Sequence, residues 1–151
     1  MKPDPIASDF LEALTKVSRK IRTAFNQQVT AHGLTYPRAR ALFRLAKKQN
    51  MTQSELACDL ELEQATMVRL LDRMEENGLI ERRPDTNDRR VKLIVLTPHG
   101  EEQAALVRSI AEQIREQIFE GIDLKDVQAG VALLERISAN VTDLEDIDVP
   151  A

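Results

Sequence analysis

The sequence predicts a mostly α-helical fold interrupted once by a small β-hairpin, and three observations carry that expectation. Apolar residues recur every three or four positions along most of the chain, the period of a helix with one buried face. Cap residues, prolines just inside first turns and glycines at ends cut this pattern into short pieces. Only Leu79 to Arg83 and Arg90 to Leu96 break the period. They are short β-branched or apolar runs separated by Pro84-Asp-Thr-Asn-Asp88, the pattern of two strands and a turn.

Each element follows from its own residues. Ser8 or Asp9 is expected to cap a long first helix ending near His32-Gly33, whose Leu11, Leu14, Val17, Ile21 and Phe25 form a stripe in need of a partner helix. Thr35 caps a second helix with Pro37 in its first turn; Ala41, Leu42 and Leu45 point inward and the helix ends around Lys48. Thr52-Gln-Ser-Glu55 has the form of a capping box and opens a short third helix with Leu56, Ala57 and Leu60 on one face. A fourth helix, from about Gln64 to Asn77, buries Met67, Leu70, Leu71 and Met74 and stops at Gly78, which suits a left-handed position. After the hairpin, Thr97-Pro98 restarts a helix with Leu106, Ile110, Ile114 and Ile118 as its stripe. Gly121 interrupts it, and Asp123 caps a last helix carrying Val127, Val131, Leu134 and Ile137. A short helix, a tight turn and a longer helix followed at once by a two-stranded ribbon describe a winged helix-turn-helix, whose second helix fits a DNA major groove.

Length and composition bound the function. At 151 residues the chain is one domain, with room for an appendage, and 42% apolar content is enough for a core. Four Phe, one Tyr and no Trp are too few for the stacking platforms that hold single-stranded bases. A single Cys excludes an internal disulfide. No apolar run approaches the roughly 18 residues of a membrane span, and Met1 to Phe10 holds two Asp and two Pro where a signal peptide needs an apolar stretch, so the expected compartment is a reducing cytoplasm. The net charge of −4 hides a polar distribution. Residues 1–92 hold 17 Lys and Arg against 13 Asp and Glu, whereas residues 93–151 hold 4 against 12. Tyr36 to Lys48 alone contains Arg38, Arg40, Arg44, Lys47 and Lys48 and no acid, which is either a solvated face or a phosphate-binding surface.

The fourth helix carries the informative chemistry. Once Met67, Leu70, Leu71 and Met74 take the core, Thr66, Arg69 and Arg73 share the opposite face, with Gln64 in the first turn. Major-groove reading needs such side chains: Arg bidentate to guanine, Gln to adenine, a Thr methyl against thymine. The alternative is an ordinary polar helix face with i,i+4 pairs. In the hairpin turn, Asp88-Arg89-Arg90 presents two guanidiniums far from the core, where a minor groove attracts them. Asp85 and Asp88 would repel phosphates if free, so at least one is expected to be paired, most simply Asp88 with Arg90, leaving Arg89 for DNA. A salt-bridged surface turn is the alternative there.

Gln64-Ala-Thr-Met-Val-Arg-Leu-Leu-Asp-Arg-Met-Glu-Glu-Asn-Gly78-Leu-Ile-Glu-Arg-Arg, followed by Asp88-Arg-Arg-x-Lys-x-x-x-Leu96-Thr97-x-x-Gly100, resembles the MarR/SlyA family of bacterial transcriptional regulators over about residues 34–100. The resemblance implies a homodimer on a pseudo-palindromic operator in double-stranded DNA. Residues 1–33 would be an N-terminal dimerisation helix, 34–97 the winged DNA-binding lobe and 98–151 the C-terminal dimerisation helices. It places Arg69 in the recognition helix, Arg82 behind the wing, Arg89 in a minor groove and Asp88 as the brace of Arg90. The full set of expected DNA contacts is Thr52, Ser54, Gln64, Thr66, Arg69, Arg73, Arg82, Arg89 and Arg90. The family's usual mode implies a repressor released by a small aromatic or phenolic ligand, with His32, Tyr36 and Arg38 as pocket residues. Tyr36-Pro37-Arg38 departs from relatives, which often carry a Trp there. A dimer has a further argument: the long helices at the two chain ends carry more apolar stripe than a lobe of about 65 residues covers.

The remaining residues point elsewhere. Cys58, beside Leu56, Ala57 and Leu60, reads as a half-buried core thiol rather than a redox sensor. His32 and His99 lie too far apart for a metal motif, and His32 suits a helix-end contact. Met51, Met67 and Met74 are expected to fill core space. No glycine-rich phosphate loop, dinucleotide fingerprint or nucleophile elbow is present, so no cofactor is expected and an enzyme has no anchor in the sequence. A winged module that docks proteins rather than DNA is the other reading, and no residue pattern supports it.

Overall fold

The computed structural model describes residues 4–150. Met1 to Pro3, the start of the stretch read above as unlike a signal peptide, and Ala151 lie outside the described residues. Six helices and a three-stranded antiparallel sheet follow in the order α1 (Pro5–Ala31), α2 (Tyr36–Lys47), β1 (Met51–Thr52), α3 (Gln53–Leu60), α4 (Gln64–Glu76), β2 (Ile80–Pro84), β3 (Lys92–Leu96), α5 (Pro98–Ile118) and α6 (Leu124–Thr142). The winged helix-turn-helix expected from the sequence is present. No helix among the described residues is long and apolar enough to cross a membrane.

Caps decide where the helices begin. The hydroxyls of Thr35 and Thr52 accept the backbone N–H groups of Arg38 and Glu55, and the Asp123 carboxylate accepts that of Lys125, as their positions predict. The first helix is a correction: Asp4, not Ser8 or Asp9, caps it by accepting Ile6 N–H at 2.9 Å. Pro5 then occupies a first-turn position whose missing N–H has no helical partner to lose. The Thr52 box is also only half closed, because the Glu55 carboxylate reaches Lys48 Nζ at 3.1 Å. Gly78 adopts φ 72°, the left-handed conformation that ends α4.

The sheet holds one strand more than the two-stranded ribbon expected from the sequence. Met51 and Thr52 pair with Ile94 and Leu93, so β1 lies on the outer side of β3, and β2 pairs along the other side from Ile80↔Leu96 to Pro84↔Lys92. Two residues are too few to show a period, which is why β1 has no signature of its own. Its effect is to tie the start of α3 to the base of the wing.

Residues 4–115 form one compact unit and residues 116–150 belong to a second. The core of the first runs from Val29 to Ile110, centred on Leu42, Leu45, Leu56, Met67, Leu71, Met74, Ile80 and Ile94. Leu70, expected in that core, is only half-buried and opens onto a surface cleft. Cys58 is another correction: it is exposed, because the buried residues of α3 are Leu56, Ala57 and Leu60 and Cys58 falls off that face. In the second unit, α6 buries none of its residues. Val131, Leu133, Leu134 and Val141 are all exposed.

Candidate nucleic-acid interface

Helix α4 is amphipathic because Met67, Leu71 and Met74 recur at helical spacing and are fully buried. That fixes its opposite face, where Thr66, Arg69 and Arg73 are exposed together. Arg69 Nε donates to its own helix at Ala65 O over 3.4 Å. Neither Arg69 nor Arg73 has an ion-pair partner among the described residues. Their guanidiniums are therefore available to an external anion. Gln64 meets Gln53 Nε2 through its Oε1 at 3.5 Å, linking the first turns of α3 and α4.

Two of the three acidic residues of the same helix, Asp72 and Glu75, are engaged by another element. Arg82, on β2, sends Nη2 to Asp72 Oδ1 at 2.8 Å and Nη1 to Glu75 Oε1 at 3.7 Å; its backbone N–H donates to Glu75 Oε2 at 3.3 Å. Its side chain is only 21% exposed. Arg82 stands in the expected DNA-contacting set, but here it buttresses the strand against α4 and neutralises two carboxylates that would otherwise oppose a phosphate backbone. Thr52 is likewise occupied in capping α3, while Ser54 is exposed beside it.

The hairpin turn folds around its two aspartates. Asp85 Oδ1 accepts Asn87 N–H at 3.1 Å, and Asp88 Oδ1 accepts Arg90 N–H at 3.0 Å with Arg90 Nε 3.5 Å away. Asp85 N–H to Val91 O and Val91 N–H to Asp88 O close the loop. Both carboxylates are thus turned toward backbone amides. Arg89 stands exposed with no ion pair among the described residues, and the Arg90 side chain is almost fully exposed.

The three expected pocket residues do not converge. Helix α2 places Tyr36, Arg40, Phe43, Arg44 and Lys47 on one side and Arg38 about half a turn away. Phe25, Arg40, Phe43, Arg44, Lys47, Leu60 and Ala111 line a cavity of about 280 Å³, which neither His32 nor Tyr36 nor Arg38 lines. Tyr36 packs edge-on to Phe25, with ring centres 6.0 Å apart, and Arg40 lies 5.7 Å over its ring. His32 Nδ1 instead lies 2.8 Å from Gln28 O at the end of α1. Arg38 opens into a second cleft with Thr35, Pro37, Thr66, Arg69, Leu70 and Arg73. The basic run of α2, visible in the sequence, divides between two cavities. The 3.6-residue period of that run was the available signal.

Comparison with known proteins agrees with this architecture. A sequence model of the MarR family matches residues 34–92, the span from the start of α2 through the wing. The solved transcriptional regulator PA3341 is 34% identical, with a TM-score of 0.81 over 89% of this chain and 99% of its own. Staphylococcus aureus MarR, solved with salicylate and kanamycin, is 20% identical with a TM-score of 0.80, covering 94% and 96% of the two chains. S. aureus MepR in its DNA complex is 22% identical with a TM-score of 0.75, covering 87% and 97%. The last two share the fold. With a third of its residues identical to a transcriptional regulator matched over nearly its whole length, and with the family's pattern across the lobe, this chain belongs to the MarR family.

Proposed function

We propose that the protein is a sequence-specific transcriptional repressor that binds double-stranded DNA as a homodimer in the cytoplasm. One observation carries the reading: Arg69, Arg73 and Arg89 are exposed without ion-pair partners among the described residues, while Asp72, Glu75, Asp85 and Asp88 are engaged by the protein's own groups. On this reading α4 enters a major groove, with Thr66 and Arg69 at base edges, and the wing carries Arg89 to the adjacent minor groove. Residues 34–97 act as the DNA-binding lobe, and residues 1–33 and 98–151 as the dimerisation helices. Two lobes would meet half-sites centred about 10 base pairs apart. The solved DNA complex of S. aureus MepR supports the partner by analogy of fold.

A small aromatic or phenolic acid fits as the releasing ligand. The cavity between Phe25 and Phe43 offers two rings for a flat apolar body and Arg40, Arg44 and Lys47 for a carboxylate or phenolate. Salicylate is bound by the related S. aureus MarR. The reading is tested by titrating salt against binding to a random-sequence duplex. Phosphate neutralisation makes log K fall linearly with log salt, losing about 10³-fold or more between 50 and 200 mM if several phosphates are contacted. A flat response rejects DNA as the partner. Selection of genomic fragments by the purified protein then gives the operator.

A further inference from the structure

The cleft between α2 and α4 stands apart from the aromatic cavity. Its volume is about 470 Å³, and Thr35, Pro37, Arg38, Thr66, Arg69, Leu70 and Arg73 line it. Three arginines and two threonines are among the lining residues, and no Asp or Glu is. None of the three arginines has an ion pair among the described residues. Arg38 is the unusual member: its Nε is shut off from solvent and has no hydrogen-bond partner among the described residues. A buried N–H without an acceptor is costly, and like charges gathered around one space repel. An oxyanion entering the cleft removes both penalties, because the guanidinium fork matches phosphate geometry. Thr35 Oγ1 accepts Arg38 N–H at 3.4 Å, which leaves its own hydrogen free to donate outward.

We propose that this cleft seats a backbone phosphate of bound DNA, with Arg38 as its ligand from the α2 side. The proposal rests on the DNA reading above and adds a contact from outside the recognition helix. Arg69 and Arg73 line the cleft and also belong to the exposed face of α4, so a duplex whose groove receives that face carries its phosphates past the cleft mouth. A phosphate held between α2 and α4 fixes the depth and roll of the recognition helix without reading any base. Arg38 is accordingly a positioning residue, not a specificity residue.

Fluorescence anisotropy on a random-sequence duplex, across salt concentrations, tests this with the full chain, Arg38→Gln and Arg38→Lys. Losing one phosphate contact per protomer should lower the slope of log K against log salt by about 0.9 for each protomer bound. Arg38→Lys should restore the slope, and fragment selection with Arg38→Gln should return the same preferred sequence at reduced affinity. Arg38→Met, which keeps the aliphatic stem, takes the place of Arg38→Gln if the latter melts early. A steep wild-type slope left unchanged by the variants overturns the proposal while the DNA reading stands; a flat wild-type slope overturns both. Inorganic phosphate separates the two sources of the anion. If phosphate alone raises the melting temperature of the wild type but not of Arg38→Gln, and the DNA slope is the same in both, the cleft holds a free anion and the DNA assignment is wrong.

Discussion

Three arginines of the lobe share one chemistry and meet three fates, set by their neighbours. Arg82 finds Asp72 and Glu75, Arg38 is half-buried with an Nε that has no partner among the described residues, and Arg69 stands in solvent against its own helix backbone. The base-reading role proposed above falls to Arg69, whose long side chain keeps its donors uncommitted to any carboxylate among the described residues. Arg69→Ala should cost about 1 to 3 kcal/mol of operator binding and relax preference at one base position of each half-site. The readout is fragment selection with the variant beside the wild type. An unchanged sequence profile at full affinity rejects the groove assignment. The spacing of Thr66, Arg69 and Arg73 made this face legible in the sequence, because the buried residues of one helix fix what the others can do. The consumption of Arg82 was not legible to the same degree, since its partners lie on a different element and periodicity says nothing about contacts between elements.

At the scale of elements, the junction between α4, the wing and α5 turns on Gly100. Thr97 Oγ1 accepts Gly100 N–H at 3.0 Å and donates to Gly78 O, while Thr97 N–H donates to Leu79 O at 3.0 Å. A Cβ on Gly100 would overlap the Leu79 carbonyl, a backbone group that cannot rotate away. Gly100→Ala should therefore destabilise the fold by about 1 to 3 kcal/mol, the range of overpacked cores, with the loss read by urea denaturation. Stability within about 0.5 kcal/mol of wild type would show that the junction yields more easily than its hydrogen bonds imply. The Leu96-Thr97-x-x-Gly100 pattern was visible in the sequence, and the overlap supplies its physical cause. Caps at Thr35, Thr52 and Asp123 were visible for the same local reason: a side chain two or three residues from the amide it serves. The Asp4-Pro5 start offered the same signal, though Ser8 and Asp9 competed with it. Strand β1 offered none, because its pairing with β3 joins residues about forty positions apart.

At the scale of the molecule, apolar surface left uncovered is the strongest statement about assembly. Leu11, Val17 and Ile21 on α1 are 40% or more exposed, as are Val131 and Leu134 on α6, although each set recurs at the spacing of a buried helix face. The same apolar periodicity buries α4 completely along Met67, Leu71 and Met74, so the pattern on the terminal helices marks surface that a second copy would cover. A two-fold interface doubles the effect of any substitution in it. Leu134→Asp removes a contact worth about 1.5 to 3 kcal/mol on each side, so the dissociation constant of the dimer should rise by about 10² to 10⁴-fold. Light scattering at micromolar concentration should show a dimer for the wild type and a monomer for the variant, with the helical signal in circular dichroism retained. A dimer that survives the substitution would place the interface away from α6. A wild type that is monomeric at that concentration would leave the two lobes unlinked, and the spacing of half-sites at about one helical turn would lose its basis. On the proposed function, assembly and DNA reading are coupled in this way because a single lobe would bring only one recognition helix and one wing.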